Sequence, residues 1–315
     1  MYNRLFTQHS QRSEGMMSDL FERVITAKEL QEKEDFKGGN EWLIEHLVPR
    51  GQAGLTIAPQ KSFKSSTTLQ MALSVAKGVP FGYFKTKKAN VLIIDNEDTD
   101  FVLHQRLKAY SDVPDNLHFI TGGIFKLDNK DHMNGLYKFI KENNIKFVIL
   151  DNLKDMLTDR NILNDMSSMN DVLNNITRLK LLLNDVTFLL IAHARKDTNN
   201  QSLEEKSFRV RSTHALGSSA IGAWFEFCLC LSPKMGKNSK YSILTVEARN
   251  YAYDKEVCLG YVGEQFQIID PTGNKPKEIL EEEQKEGEEY EETKNEAESL
   301  LTALQQKGKV NITDD

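Results

Sequence analysis

The sequence predicts an α/β fold: a mostly parallel central sheet flanked by helices, with antiparallel strands added at its C-terminal edge. Two observations carry the first half. The runs 90–95 (NVLIID), 146–151 (KFVILD) and 186–193 (VTFLLIAH) are continuously apolar, as strands buried on both faces must be. Helical patterns alternate with them, at 65–77, where Leu69, Ala72, Val75 and Ala76 share one stripe, and at 169–183, where Val172, Ile176, Leu179 and Leu183 do. The second half rests on the text after residue 220. There Phe225, Phe227, Leu229 and Leu231 alternate with Glu226, Cys228, Cys230 and Ser232, and strand-like runs follow at 241–247, 256–262 and 265–269. These are expected to be antiparallel strands joined to the sheet edge.

Residues 1–40 are polar, with one helical stretch near 19–33, and read as an N-terminal extension. The core is expected over 41–272 and closes at the turn-rich Pro271-Thr272-Gly273-Asn274. An acidic linker is expected over 273–297. Residues 298–315 carry a short apolar helix pattern (Leu300, Leu301, Leu304), expected to begin a small helical, winged-helix-like module.

The 315 residues are 39% hydrophobic and 27% charged, which is ordinary globular composition rather than disorder. No apolar run approaches the ~20 residues needed to cross a bilayer, and Met1 to Gly15 lacks the apolar stretch of a signal peptide. Cys228, Cys230 and Cys258 lie in apolar strand-like text and form neither a disulfide framework nor a zinc pattern, so no membrane and a cytoplasmic setting are expected. The net charge of −6 would argue against a nucleic-acid partner were it spread evenly. It is not: residues 278–298 alone carry −9, which leaves residues 1–277 mildly basic at +3.

Three motifs carry chemistry. The strand ending at Ala58 runs into Pro59-Gln60-Lys61-Ser62-Phe63-Lys64-Ser65-Ser66, and a helix follows. Against GxxxxGK[ST], Ala58 and Phe63 replace both glycines, but the Lys-Ser pair stands in place. Lys64 can reach the β- and γ-phosphates of ATP, Ser65 can place a hydroxyl on Mg²⁺, and the helix N-terminus adds its dipole. Read alone, the loop is equally a lysine on a helix N-terminus. The strand 91–94 then ends in Asp95-Asn96-Glu97-Asp98, and the strand 147–150 ends in Asp151. Acids at the carboxyl ends of buried parallel strands face the ligand crevice. Asp151 is expected to hold Mg²⁺ with Ser65, and Glu97 to orient or deprotonate the attacking water.

With these residues in order, the sequence resembles the RepA-like, hexameric-replicative-helicase type of P-loop ATPase with a RecA/KaiC-like core. The resemblance spans about 42–262. It includes Trp42-Leu43-Ile44, Pro49-Arg50-Gly51, the Lys-Ser-Phe-Lys-Ser loop, His104-Gln105-Arg106-Leu107, Asp151-Asn152-Leu153, Ile191-Ala192-His193, Gly217-Ser218-Ser219-Ala220 and Val246-Glu247-Ala248-Arg249-Asn250. It implies an ATPase in which Glu97 and Lys64 are catalytic and His193 is a strand-end sensor of the γ-phosphate. It also implies a homo-oligomeric ring, on the hexameric pattern, with ATP between subunits. Family members often carry an arginine before Gly-Ser-Ser that reaches the neighbour's ATP; here Leu216 stands there, and Arg209, Arg211 or Arg249 is left as a substitute, Arg249 first. The long loop after His193 carries Arg195, Lys196, Lys206, Arg209 and Arg211; by resemblance it faces a central channel and meets single-stranded DNA. The expected function is that of a helicase- or loader-type motor in replication of a mobile element. The alternatives are a nucleotide-dependent DNA-binding or regulatory module with slow turnover, and a scaffold with a dead site, which intact Lys64, Ser65, Glu97 and Asp151 oppose.

Overall fold

A computed structural model of the chain describes residues 24–32, 42–60, 62–195, 209–217, 219–233, 241–262 and 265–270. The expected acidic linker and the 298–315 module lie outside these residues, as do Lys61, Lys196 and Lys206 of the expected sites. The chain divides into two compact units, 1–41 and 42–315. In the first, helix α1 (Ala27–Glu32) opens on a reciprocal cap. Glu29 N donates to Thr26 Oγ1 at 3.2 Å, and Glu29 Oε2 accepts from Thr26 N at 2.8 Å.

The second unit contains a small antiparallel hairpin, β1 (Trp42–Ile44) with β2 (Val48–Pro49), and one large sheet. The sheet strands are β3 (Ala53–Ala58), β4 (Asn90–Asp95), β5 (Leu117–Ile120), β6 (Ile145–Asp151), β7 (Thr187–His193), β8 (Phe227–Pro233), β9 (Tyr241–Ala248), β10 (Val257–Val262) and β11 (Gln265–Asp270). Among the described residues their order is β11-β10-β9-β8-β3-β7-β6-β4-β5. Every pairing from β8 to β5 is parallel, and those among β8, β9, β10 and β11 are antiparallel.

The three apolar runs become β4, β6 and β7 to within a residue, because strands buried on both faces have no polar face to blur their limits. The text after residue 220 departs from expectation at its first strand. β8 pairs parallel with β3 (Leu55 opposite Cys228, Ile57 opposite Cys230) and turns antiparallel only toward β9. Cys228 and Cys230 are fully buried, as their apolar setting suggests, and Ser232 is buried with them. Free cysteine packs as a small hydrophobe, so the strand is covered on both sides.

Helices cover both faces. Helix α2 (Lys64–Lys77) buries Leu69, Met71, Ala72, Val75 and Ala76 on one, and ends at Gly78 in the left-handed region with its N–H on Ser74 O. Helix α5 (Met166–Leu183), capped by Asp165 on Ser168 N, buries Met169, Val172, Leu173, Ile176 and Leu179 on the other. Helices α3 (Asp100–Leu107), α4 (Lys130–Glu142) and α6 (Ser219–Trp224) complete the layers. No helix among the described residues is long and apolar enough to cross a membrane.

Gly54 marks the tightest point, where β3 lies beside β8. A Cβ there would stand 2.2 Å from the Phe227 Cζ atom, and Phe227 is wholly buried. Gly54→Ala is expected to cost about 1–3 kcal/mol through overpacking. Denaturant unfolding measures this; a loss below about 0.5 kcal/mol would show that the ring moves aside freely.

Candidate active site

Parallel pairing sets the site. Ala58 lies opposite His193 in the β3–β7 register, and Asp95 opposite Asp151 in the β4–β6 register. The carboxyl ends of four adjacent strands, β3-β7-β6-β4, therefore present a loop, an imidazole and two aspartates along one edge. This is the edge at which open α/β sheets bind ligands.

The loop after β3 delivers Lys64 as the first residue of α2. The residue before it, Phe63, has φ 61° and ψ 23°, in the left-handed region. The slot thus has the conformation for which glycine is favoured, and phenylalanine occupies it at ~1–2 kcal/mol. Several contacts offset that cost. The Phe63 ring packs edge-on to Tyr261 (5.4 Å between centroids) and tilted against Phe266 (5.5 Å). Ser62, almost wholly buried, donates its hydroxyl to Pro59 O at 2.7 Å, and Ser62 O accepts from Ser242 Oγ at 3.0 Å. Pro59 and Gln60 complete the described part of the loop.

Ser65 Oγ donates to Asp151 Oδ2 at 2.9 Å. The other carboxylate oxygen, Asp151 Oδ1, is buried and has no hydrogen-bond partner among the described residues. Burial pushes the Asp151 pKa up to about 7; the Asp95 charge adds to the rise, while the Ser65 hydrogen bond and the Lys64 charge oppose it. A hydroxyl and an orphaned carboxylate oxygen are hard donors of the kind Mg²⁺ takes, and a second buried carboxylate, Asp95, stands beside them. The residues fit the ion. Asp95 itself is occupied by its own turn, accepting from Glu97 N (2.9 Å) and Asp98 N (2.8 Å) on Oδ1.

That turn projects Glu97 from the strand end. Glu97 Oε2 accepts from Asn152 Nδ2 at 2.7 Å, and the same amide donates to Asp155 Oδ2 at 3.0 Å. Asn152 is fully buried and directly follows Asp151, so one strand end places both the metal-side acid and the group that aims Glu97. Sequence reasoning passed over Asn152 in this role. Its only signal was adjacency to Asp151, which says nothing about where the amide points. Asp98 pairs with Arg106 of α3 at 2.5 Å. Burial raises the Asp98 carboxyl above its ordinary value, against the Arg106 charge.

His193 ends β7 with both ring nitrogens buried and, among the described residues, without a hydrogen-bond partner. Burial lowers its pKa, and the Lys64 charge lowers it further, so the imidazole is neutral at pH 7. Its carbonyl accepts from Leu216 N at 2.7 Å. The segment that returns from the long loop therefore lies directly against the end of β7.

The remaining expected residues scatter. Arg195 Nη2 donates to Gly217 O. Arg209 makes a two-pronged pair with Glu256, 2.7 and 2.8 Å. Arg211 is exposed and begins the short turn 212–214. Ser66 Oγ lies 2.9 Å from Tyr261 Oη. Beside α2 these last two border a cleft of about 420 Å³ that Arg106, Tyr110 and Phe266 also line. Arg249 follows β9 where its backbone N donates to Glu226 O, just before β8 begins. That is the amino end of the parallel strands, opposite the phosphate loop, so Arg249 cannot reach this chain's own nucleotide.

An acid whose folded pKa lies above its ordinary value of ~3.9 favours the folded state while protonated. Asp151 stabilises the nucleotide-free chain below about pH 4, and that contribution is lost as pH rises toward about 7. Asp151→Asn, which keeps an acceptor for Ser65, is expected to melt at a higher temperature than wild type at pH 8. Identical melting temperatures there would contradict the assigned burial.

The comparisons agree with this geometry. A family model described as an AAA domain matches residues 34–199. No curated protein sequence matches the chain. Among solved structures, a KaiC-like protein from the hyperthermophilic archaeon Pyrococcus horikoshii is similar, with a TM-score of 0.51 at 15% identity, covering 72% of this chain and 94% of that one. At that identity the likeness speaks for the fold alone. The family match covers more than half of the chain and includes the loop at Lys64 and the strand ends at Glu97, Asp151 and His193; the chain belongs to this AAA-domain family of P-loop ATPases.

Proposed function

We propose that the chain is an ATP-hydrolysing motor or loader of the RepA-like, hexameric-helicase type, acting on single-stranded DNA. The observation that carries the reading is the convergence at one sheet edge. Ser65 is hydrogen-bonded to a buried Asp151, Glu97 is aimed by Asn152, and His193 stands near Lys64; Asp151 Oδ1 and both His193 ring nitrogens have no partner among the described residues.

In this reading Lys64 meets the β- and γ-phosphates as a point charge, and the α2 N-terminus adds its partial positive charge. Ser65 and Asp151 hold Mg²⁺, which when bound neutralises charge on the phosphate oxygens. Glu97 orients the attacking water and accepts its proton, held in direction by Asn152 Nδ2. His193 offers a ring N–H to the γ-phosphate and, through its carbonyl on Leu216 N, passes its position to the loop that carries Arg209 and Arg211. In this reading the base of ATP would enter the cleft beside α2 that Arg106, Tyr110 and Tyr261 line. Tyr110 in that cleft, its pKa pushed up to about 12 by burial, stays a neutral phenol. Arg249, remote from this chain's loop, serves only a neighbour's nucleotide, which requires a ring or filament. The AAA-domain match supports ATP binding and hydrolysis; DNA, ring and replication rest on the resemblance.

Leu216 favours a second reading, nucleotide-gated DNA binding with slow turnover. An arginine supplied to the γ-phosphate is worth ~10³-fold or more in rate, and Leu216 leaves that position without a cation. ATP hydrolysis measured with and without single-stranded DNA separates the readings. DNA-stimulated turnover is expected, with Lys64→Ala losing ATP binding and Glu97→Gln retaining binding but losing turnover by ~10²-fold or more. Wild-type turnover in Glu97→Gln would overturn the assignment of the base; slow turnover indifferent to DNA would favour the second reading.

A further inference from the structure

At the amino end of the parallel strands, away from the phosphate loop, lies a second cleft of about 370 Å³. Its cations are Arg50, just ahead of β3, Lys87 and Lys88, just ahead of β4, and Lys146, the second residue of β6. Lys146 and Asp151 stand at the two ends of one strand, five residues apart, which is ~16 Å. The cleft is therefore no part of the nucleotide site.

Its charge is unbalanced. Asp185 is the carboxylate that answers these cations, taking Arg50 at 3.0 Å and Lys146 at 2.9 Å. Burial would push the Asp185 carboxyl up, but the hydrogen bonds and charges of Lys146 and Arg50 outweigh it and hold the group ionised. Lys87 and Lys88 have no ion pair among the described residues. The backbone of Lys87 is held at the cleft all the same, since Lys87 N donates to Leu43 O at 3.0 Å.

That bond ties the cleft to a group of rings. The β1–β2 hairpin lies between them, with Trp42 opposite Pro49 and Arg50 next in sequence. Trp42 meets Tyr251 edge-on at 4.7 Å and His46 at 5.7 Å, and His46 stacks on Tyr253 at 5.5 Å with 19° between the planes. His46 is exposed, held outward by a left-handed backbone of φ 62°. A cationic groove with partly exposed rings on the adjoining hairpin, whose Leu43 lines the groove, is a combination suited to single strands: phosphates against the cations, bases against the rings.

We infer that the cleft of Arg50, Lys87, Lys88 and Lys146, with the His46–Tyr253–Trp42 ledge beside it, is a second binding site for single-stranded DNA, remote from the nucleotide. It rests on the proposed action on DNA, but not on the loop after His193.

The test uses the full chain and a fluorescent oligothymidylate, with anisotropy measured across a salt series, without nucleotide and with an ATP analogue. Lys87→Glu/Lys88→Glu is expected to bind about ten-fold or more weakly at 0.1 M salt, with a log–log salt slope shallower by ~1.4 for two lost phosphate contacts. ATP-analogue affinity should stay at the wild-type value, which also certifies the fold. Lys130→Glu/Arg178→Glu, an equal change in charge at exposed positions outside the cleft, should bind as wild type. Wild-type affinity and slope in the cleft variant would overturn the inference, as would equal loss in the control pair or displacement of the strand by pyrophosphate at matched ionic strength. If only a Lys206→Ala/Arg209→Ala/Arg211→Ala variant weakens binding, the DNA reading survives and this site falls. If wild type itself fails to bind the strand, both fall.

Discussion

A hydrogen bond between a hydroxyl and a buried carboxyl, Ser65 to Asp151, is the contact around which the catalytic edge is arranged. Its two residues lie 86 positions apart in sequence and meet only because β3 and β6 flank β7 in the same parallel sheet. A buried carboxylate without a cation is costly. The nucleotide-free chain meets that cost by holding Asp151 partly protonated, with a pKa near 7, and by giving it one hydroxyl donor. Asp151 Oδ1 has no partner among the described residues, and a divalent ion would satisfy it. Asp95, Glu97 and Asp98 crowd the same edge, so the loop cation Lys64 and an incoming metal both relieve repulsion that the fold itself creates.

The phosphate loop shows how a departure from glycine is tolerated. The left-handed slot remains, and Phe63 fills it, anchored by Tyr261 of β10 and Phe266 of β11. The antiparallel strands are thereby more than edge decoration. They hold the loop from outside, with Ser242 of β9 bonding Ser62 O and Tyr261 bonding Ser66. Glycine would give conformational freedom to a loop that needs no partner; phenylalanine gives a loop whose shape depends on three later strands.

Much of this was legible in the residues, and for a physical reason. Strands buried on both faces must be apolar throughout, so β4, β6 and β7 announce themselves, and an acid at such a strand's end has only the ligand edge to face. Glu97 and Asp151 followed from that, the Lys64-Ser65 pair from the loop pattern, and His193 from the resemblance. What was not legible depends on side-chain direction or distant pairing. The direction of β8 was not legible, because its parallel partner β3 is remote in sequence. Asn152 earns its place only through where its amide points. Arg249 sits at the end of a strand whose antiparallel direction carries it away from the loop, which composition does not reveal. The basic cleft joins residues from ahead of three different strands, none conspicuous alone.

The account turns on Asp151 as a protonated group that gives way to a metal ion. Calorimetry of Mg²⁺ with a non-hydrolysable ATP analogue, run at pH 6.5 in buffers of different ionisation enthalpy, counts the protons exchanged on binding. Wild type should release a substantial fraction of one proton, because at that pH a group of pKa about 7 is largely protonated before the ion arrives. Asp151→Asn should release none beyond the nucleotide's own. Equal proton release in the two proteins would contradict the claim that Ser65 and Asp151 form the metal seat.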